Sequence, residues 1–554
     1  MKCQHSKSVR FAVVAGFLWF AIPESHAQTW LEFAHPDSPH LNFQNPNIPI
    51  TVPELLQGSS DIVITRPVLV VLLEFQNVTH RAVHTTQYWE ELVFAEPRPD
   101  VRPSVAQTYR QNSNGRLLLV PATAGDVYDG NQDGIIGWTP SPRDTRDPWW
   151  EEYGAEKGRA EGIIVADAQF DYYHYDNNND GLITVDELTV LVVFAENLAS
   201  NCACDQHISH LQNPCSPCIA VPGGRARVTY PAQVPVDQNT PWPKHVHQLV
   251  TGVKEVARVG VVVHELGHQI FGLGDLYPIA STACTTYQSE PDGYTCDGVW
   301  YPPDPGIYSV MGPNVATSGF VYQLDPWAKV HLGFVRPQVV SHDGVYAVHN
   351  AEAPREFSDQ LTQPEALIIY DPLRADADKE YFILENRNIT DLPPWDQDAG
   401  IAIWLINENA PTWPVGLNDR HVERLIRRGG HHVGDDEALW DGIEGYDFTR
   451  TSTPRNTNWT NGSPSYVEVT DISAPGAVMT CKIRMPPICV DGSNTGSQSG
   501  SQADPFDTMS EALAAIPEPP RTIRIAGGSY DETMIIDKPC TLMAWRNGNA
   551  IIGQ

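Results

Sequence analysis

Apolar and polar positions change their period along this chain in a way that divides it into distinct parts. Val68-Leu69-Val70-Val71-Leu72-Leu73-Glu74-Phe75 is a short continuous apolar run, the mark of a buried strand. Leu117 to Val120 and Leu188 to Phe194 repeat it. Between Gly252 and Phe271 the period changes, because Val256, Val259, Val263, Leu266 and Ile270 recur at three and four residues, as on one buried face of a helix. Strands followed by such a helix predict an α+β domain over residues 65–335. From 336 to 487 the runs Val345 to Val348, Ala366 to Tyr370, Tyr381 to Glu385, Ile401 to Ile406, Tyr466 to Val469 and Val478 to Ile483 are separated by turn residues, which predicts an antiparallel β-sandwich.

Residues 488–502 include the glycine-, serine- and glutamine-rich stretch Gly492 to Gln502 and read as a flexible linker. Beyond it, over 503–554, come Pro505-Phe506, an alanine-rich segment from Met509 to Ile516, and candidate strands Thr522 to Ile525, Met534 to Ile536 and Thr541 to Ala544. This order is similar to the opening of a right-handed parallel β-helix. A stacked array needs about three units to bury a continuous core, so the module reads either as an array cut short or as a small strand-rich unit. The chain is therefore expected to be multidomain.

At the start, Lys2, Lys7 and Arg10 precede the apolar run Phe11 to Ile22, and Ser25-His26-Ala27 offers a cleavage site. Residues 1–27 read as a signal peptide and 28–64 as a short N-terminal segment, a candidate prosegment. A membrane span needs about 20 apolar residues, and no run in the chain reaches that length. A secreted protein without membrane insertion is the expectation. Charge narrows the partners: 36 Lys and Arg against 68 Asp and Glu leave a net charge of −32, which repels nucleic acid. The same acidic surplus suits an exported protein that holds calcium.

There are ten cysteines: Cys3, Cys202, Cys204, Cys215, Cys218, Cys284, Cys296, Cys481, Cys489 and Cys540. Export favours disulfides, and removal of Cys3 with the signal would leave an odd number. Cys202, Cys204, Cys215 and Cys218 could alternatively hold a structural zinc.

The strongest chemical signal is His264-Glu265-Leu266-Gly267-His268, on the helical stretch. A spacing of four puts two imidazoles on one helix face, where both can bind one metal, with Glu265 beside them as candidate general base. Gly267 lets another group approach closely. Downstream, Phe271-Gly272-Leu273-Gly274-Asp275-Leu276-Tyr277 turns the chain back, so that Asp275 can face the metal. A second motif runs from Asp176 to Glu187: oxygen ligands at Asp176, Asn178 and Asp180, Gly181 at the sharp turn, the Leu182 carbonyl, and a bidentate Glu187. It predicts a structural calcium site rather than a helix-loop-helix sensor, because Leu188 to Phe194 is strand-like. Asp129, Asn131 and Asp133 repeat its first half, with Pro140 where the glutamate would stand, and suit either a weak calcium site or an ordinary turn.

With these stretches in hand, the chain resembles the M6, or immune inhibitor A-like, family of secreted zinc metallopeptidases, a metzincin-like group. The resemblance runs in order through Leu72 to Phe75, Ser104 to Tyr109 with Asn112 to Leu117, His264 to Tyr277, Tyr308-Ser309-Val310-Met311-Gly312, Leu324 to Lys329, Glu380 to Arg387 and Gly400 to Trp404. It implies a zincin-like catalytic domain, zinc held by His264, His268 and Asp275, and a methionine turn at Met311. Metzincins place the third ligand ten positions after the first histidine. Asp275 stands eleven after His264, so Phe271 reads as an insertion, and Glu290, Asp292 or Asp297 is the competing third ligand. Hydrolysis of peptide bonds in proteins follows, with Glu265 moving the proton and Tyr308 or Tyr277 as candidate stabilisers of the oxyanion. The rival expectation is a surface- or glycan-binding adhesion protein, with contact through the C-terminal domains.

Overall fold

The structure is a computed structural model. It describes residues 63–96, 103–123, 132–143, 161–163, 165–179, 182–195, 234–236, 244–246, 250–254, 257–271, 273, 276, 287–290, 293–296, 299–301, 305–312, 323–353, 359–360, 362–371, 373–374, 379–389, 398–408, 423–428, 438–443, 446–452, 457–460, 462–517 and 519–553. The stretch 1–27 expected as a signal peptide, nearly all of the 28–64 segment, and Cys202, Cys204, Cys215, Cys218 and Cys284 lie outside them. The described residues are mixed α/β, mostly sheet with few helices, and their strands form several sheets.

Strands β1 (Ile64–Glu74), β2 (Leu117–Pro121), β3 (Ile135–Pro140), β5 (Thr189–Phe194) and β8 (Val250–Lys254) form one sheet, in the order β2-β1-β5-β8, with β3 following β2 along β1. All its pairings are parallel. The continuous apolar run in β1 has a direct cause. Val68, Val70 and Leu72 join a core with helices α1 (Thr86–Phe94), α2 (Val105–Asn112) and α3 (Val259–Phe271), whereas Leu69, Val71 and Leu73 join a second core with Phe170 and Tyr172. Both faces are covered, as parallel sheets require. The helix expected from Gly252 onward begins only at Val259, because Val250–Lys254 pairs with β5 as a strand. Small sheets β4 (Leu182–Ile183), β6 (Val234–Val236) and β7 (Lys244–Val246), and β9 (Tyr287–Glu290), β10 (Gly293–Cys296) and β11 (Val299–Tyr301), complete this part.

Helix α4 (Pro326–His331) leads into two sheets. The larger comprises β12 (Gln338–Val339), β14 (Ala366–Ile369), β15 (Glu380–Ile389), β16 (Asp398–Asn407) and β17 (Glu423–Ile426); the smaller comprises β13 (Gly344–His349), β18 (Glu468–Thr470) and β19 (Val478–Arg484). Leu367, Phe382, Leu384 and Ile403 face Val348, Met479, Cys481 and Ile483 of the smaller sheet in one core. The alternate positions Ile368, Tyr381, Ile383 and Trp404 belong instead to the core of α3 and α4. The boundary expected at 335 thus separates chain segments but not cores, since the larger sheet is shared.

Strands β20 (Ile488–Val490), β21 (Arg521–Tyr530) and β22 (Cys540–Ile552) form a parallel sheet against α5 (Met509–Ala514). Two sequence expectations fail here. Residues 488–502 are not a tether: β20 lies within them, and the Gly/Ser stretch folds back through Cys489 N–H to the Gly500 carbonyl and Asn494 Nδ2 to the Ser497 carbonyl. Met534 to Ile536 is not a strand, and Ile535 is 85% exposed. Among the described residues, Cys481, Cys489 and Cys540 are free thiols. The last unit is fastened to the preceding sheets by buried Arg521, which donates to the Pro486 carbonyl at 2.6 Å, and by Asp343, which accepts from Thr522 Oγ1 and the Met485 amide.

Candidate metal centre

Helix α3 is buried on every side from Gly260 to Phe271, so its polar residues need partners inside the protein. His264 Nδ1 lies 2.8 Å from the Val310 carbonyl, and His268 Nδ1 lies 2.6 Å from the Leu273 carbonyl. A carbonyl oxygen only accepts, so each Nδ1 carries the proton and donates it. In each neutral ring the lone pair is then left on Nε2. The two Nε2 atoms face one another at 3.0 Å, with their rings nearly perpendicular.

Two lone pairs at that separation repel unless a cation lies between them, either a proton shared by the rings or a metal ion. Two nitrogens bound tetrahedrally to one zinc at 2.0–2.1 Å stand roughly 3.3 Å apart, so the pair is within a few tenths of an ångström of zinc spacing. The donor set fits as well: neutral imidazole, oriented through the opposite nitrogen, is a preferred zinc ligand. Exposure falls from 9% at His268 to 2% at His264 and Glu265, which makes this a buried centre and keeps Glu265 within the same desolvated surroundings.

A tight turn lies against the helix. Gly306–Tyr308 is a 3-10 turn, and Ser309 Oγ receives the Met311 amide while the Ser309 carbonyl receives that of Gly312. A Cβ built on Gly267 would lie 3.0 Å from Met311 Sδ, so glycine is what lets this sulfur pack between the two histidines' helical turns. The Leu276 amide donates to the Met311 carbonyl at 2.9 Å. Asp275 and Tyr277 lie outside the described residues, whereas their neighbours Leu273 and Leu276 are bonded to His268 and Met311 respectively.

Several residues quoted as recognisable stretches, with no assigned chemistry, meet around this turn. Ser309 Oγ donates to Asp325 Oδ2, Asp325 Oδ1 caps α4 through the Ala328 amide, and Asn112 Oδ1 accepts from the Leu324 amide. Tyr109, fully buried, donates to the Val263 carbonyl at 2.5 Å, and burial raises its phenol well above the ordinary value. From the larger sheet of the second part, Arg387 Nη1 donates to the Tyr308 carbonyl at 3.0 Å. Tyr308 is fully buried and its hydroxyl donates to Asp398 Oδ2 at 2.6 Å, which gives no support to an oxyanion role. Sequence reading missed the carbonyls of Val310 and Leu273, the clamp from Arg387, and Asp398. Arg387 at least stood within a quoted stretch, but nothing in the sequence marked Asp398.

In the second motif, Glu187 closes the loop: Oε1 accepts from the Asn177 amide at 3.0 Å and Oε2 from the Thr184 amide at 2.9 Å. Burial raises its carboxyl against those bonds. Asp176 is buried, Asn178 is part-buried, Leu182 lies in β4, and Asp180 is outside the described residues. A 3-10 turn precedes the loop and the core strand β5 follows it. Arg66 on β1 holds the loop through the Asp186 carboxylate and carbonyl. Asp133 accepts from the Ile135 amide, and a Cβ on Gly134 would lie 2.8 Å from the Ala122 amide, so what is described of that stretch is a tight turn; Asp129 and Asn131 are outside.

The chain matches no protein-family model and no curated protein. Among the described residues no helix is long and apolar enough to cross a membrane, and no group of three or more His, Cys, Asp or Glu side chains could hold a metal.

Proposed function

We propose that the chain is an exported zinc-dependent endopeptidase with a zincin-like catalytic part, acting on proteins or peptides. The observation that carries this reading is the pair of Nε2 lone pairs on a buried HExxH helix, each set by a carbonyl behind the other ring nitrogen. His264 and His268 hold the ion. Asp275 is the third ligand in this reading, since the chain on both sides of it is tied to His268 and Met311.

Zinc, when bound, lowers the pKa of a water to about 7 and polarises the scissile carbonyl. Glu265 takes the proton of the attacking water and passes it to the leaving amine, so one carboxylate serves as base and then as acid. Val310 and Leu273 keep the Nδ1 protons in place and leave both Nε2 atoms as donors to the metal throughout. The test is hydrolysis of casein with and without a zinc chelator: activity abolished by the chelator and restored by added zinc is expected. Cleavage that is indifferent to the chelator, or absent from a zinc-loaded chain, rejects the reading.

Calcium has a separate role in this proposal, with Asp176, Asn178, Asp180, the Leu182 carbonyl and Glu187 as ligands. Because the loop leads into β5 and is tied to β1 by Arg66, a cation there stabilises the first sheet by mass action. Millimolar calcium, at about 100 times Kd, is worth about 2.7 kcal/mol. The thermal midpoint of the zinc-loaded protein should therefore rise with calcium, and Glu187→Gln should remove most of the rise. A midpoint unmoved by calcium in both proteins contradicts the site.

A further inference from the structure

We propose that Arg387 and Asp398, on neighbouring strands of the second part, are positioning residues of the metal centre and act on it through Tyr308. The proposal rests on the zinc reading above. β15 and β16 are paired so that Arg387 stands opposite Gly400 and Ile389 opposite Asp398, which brings the two side chains to one end of the larger sheet. They grip Tyr308 from both of its ends: Arg387 Nη1 donates to the backbone carbonyl, and Asp398 Oδ2 accepts the hydroxyl.

Neither grip is loose. Arg387 is held by Glu385 Oε1 at 3.0 Å and by Glu352 Oε1 at 3.1 Å, and is 1% exposed. Asp398 Oδ2 accepts from the Ala438 and Leu439 amides and Oδ1 from the Ala399 amide. Two residues after Tyr308, the Val310 carbonyl receives the His264 Nδ1 proton; three after, the Met311 sulfur packs on Gly267. Displacement of Tyr308 therefore moves the acceptor that selects the His264 tautomer, and with it the direction of the Nε2 lone pair. On this account the larger sheet is part of the metal centre, and the shared core between the two parts is what makes such a clamp rigid.

Tyr308→Phe tests this cleanly, because Asp398 keeps its three backbone donors when the phenol oxygen is removed. Zinc affinity, read by chelator competition, should fall about 10-fold or more, in the range typical for groups that orient a ligand. At saturating zinc, kcat should return to within a few-fold of wild type. Arg387→Lys, which keeps the positive charge on Glu385 but loses the fork, should weaken zinc in the same way. In zinc-free protein, ¹⁵N imidazole shifts should show the Nδ1-protonated form of His264 losing population in both variants.

Wild-type zinc affinity in Tyr308→Phe, with kcat down about 10²–10³-fold at saturating zinc, would overturn the proposal and make the phenol an oxyanion donor. Affinity, kcat and tautomer all unchanged would also overturn it and leave Tyr308 a packing residue. Should the wild-type chain bind no zinc at His264 and His268, it is the zinc reading that fails, and the His264 tautomer in the variants still decides whether the clamp acts.

Discussion

Glu265→Gln is expected to bind zinc as wild type does and to lose about 10²–10⁴-fold in turnover, the usual contribution of a positioned general base. The substitution leaves His264, His268 and their carbonyl partners untouched, so the proposed zinc ligands persist while the proposed proton acceptor is gone. Glutamine nearly matches glutamate in volume, which matters at a residue only 2% exposed within a helix buried from Gly260 to Phe271. Zinc content and casein turnover are the two readouts. Turnover above a tenth of wild type, with full zinc, would remove Glu265 from the mechanism.

The second large effect is on stability, at Glu385. This carboxylate is 1% exposed and lies between two buried cations, Lys329 Nζ at 2.9 Å and Arg387 Nη1 at 3.0 Å. Burial alone would raise its pKa, but the charges of Lys329 and Arg387 outweigh burial and hold it below the ordinary value. Glu385→Gln takes the carboxylate from buried Lys329 and leaves Arg387 with Glu352 alone, and loss of one partner of a buried pair costs about 3–5 kcal/mol. Denaturant unfolding at pH 7 should show a loss of that size. A depressed carboxyl contributes stability above its unfolded pKa of about 4.3 and loses it as pH falls through the lower folded value. The gap between wild type and Glu385→Gln should accordingly narrow below about pH 4. A gap that is small at pH 7, or that widens in acid, contradicts this account of the cluster.

The elements most legible in the sequence are those whose burial is complete. β1 and β5 read as strands because both faces are covered, and β15 and β16 because they are shared between two cores. The start of α3 was misread for the same reason: the apolar residues of β8 continue into the helix, and period alone does not divide them. Composition misled at 488–502, where Asn494 and Asp491 side chains bond the backbone and give a glycine- and serine-rich stretch a defined shape. At Met534 to Ile536, Met534 packs on the last core while Ile535 and Ile536 stay in water, so hydropathy predicted a strand with nothing to pair it.

The His264–His268 pair was legible because helix geometry fixes which side chains share a face. Its supports were not, because Val310 and Leu273 act through carbonyl oxygens, which any residue could supply, and because Arg387 and Asp398 reach Tyr308 across 79 and 90 residues of sequence. Tyr308 and Tyr277 were both candidate oxyanion donors, and nothing in the sequence showed that the Tyr308 hydroxyl bonds Asp398.

Zinc-edge anomalous diffraction from crystals of the zinc-loaded chain tests the central claim most directly. The account predicts one peak within 2.0–2.1 Å of both His264 Nε2 and His268 Nε2, with an Asp275 carboxylate oxygen about 2.0–2.2 Å away. Zinc bound elsewhere, or no zinc while the two Nε2 atoms share a proton, would contradict it.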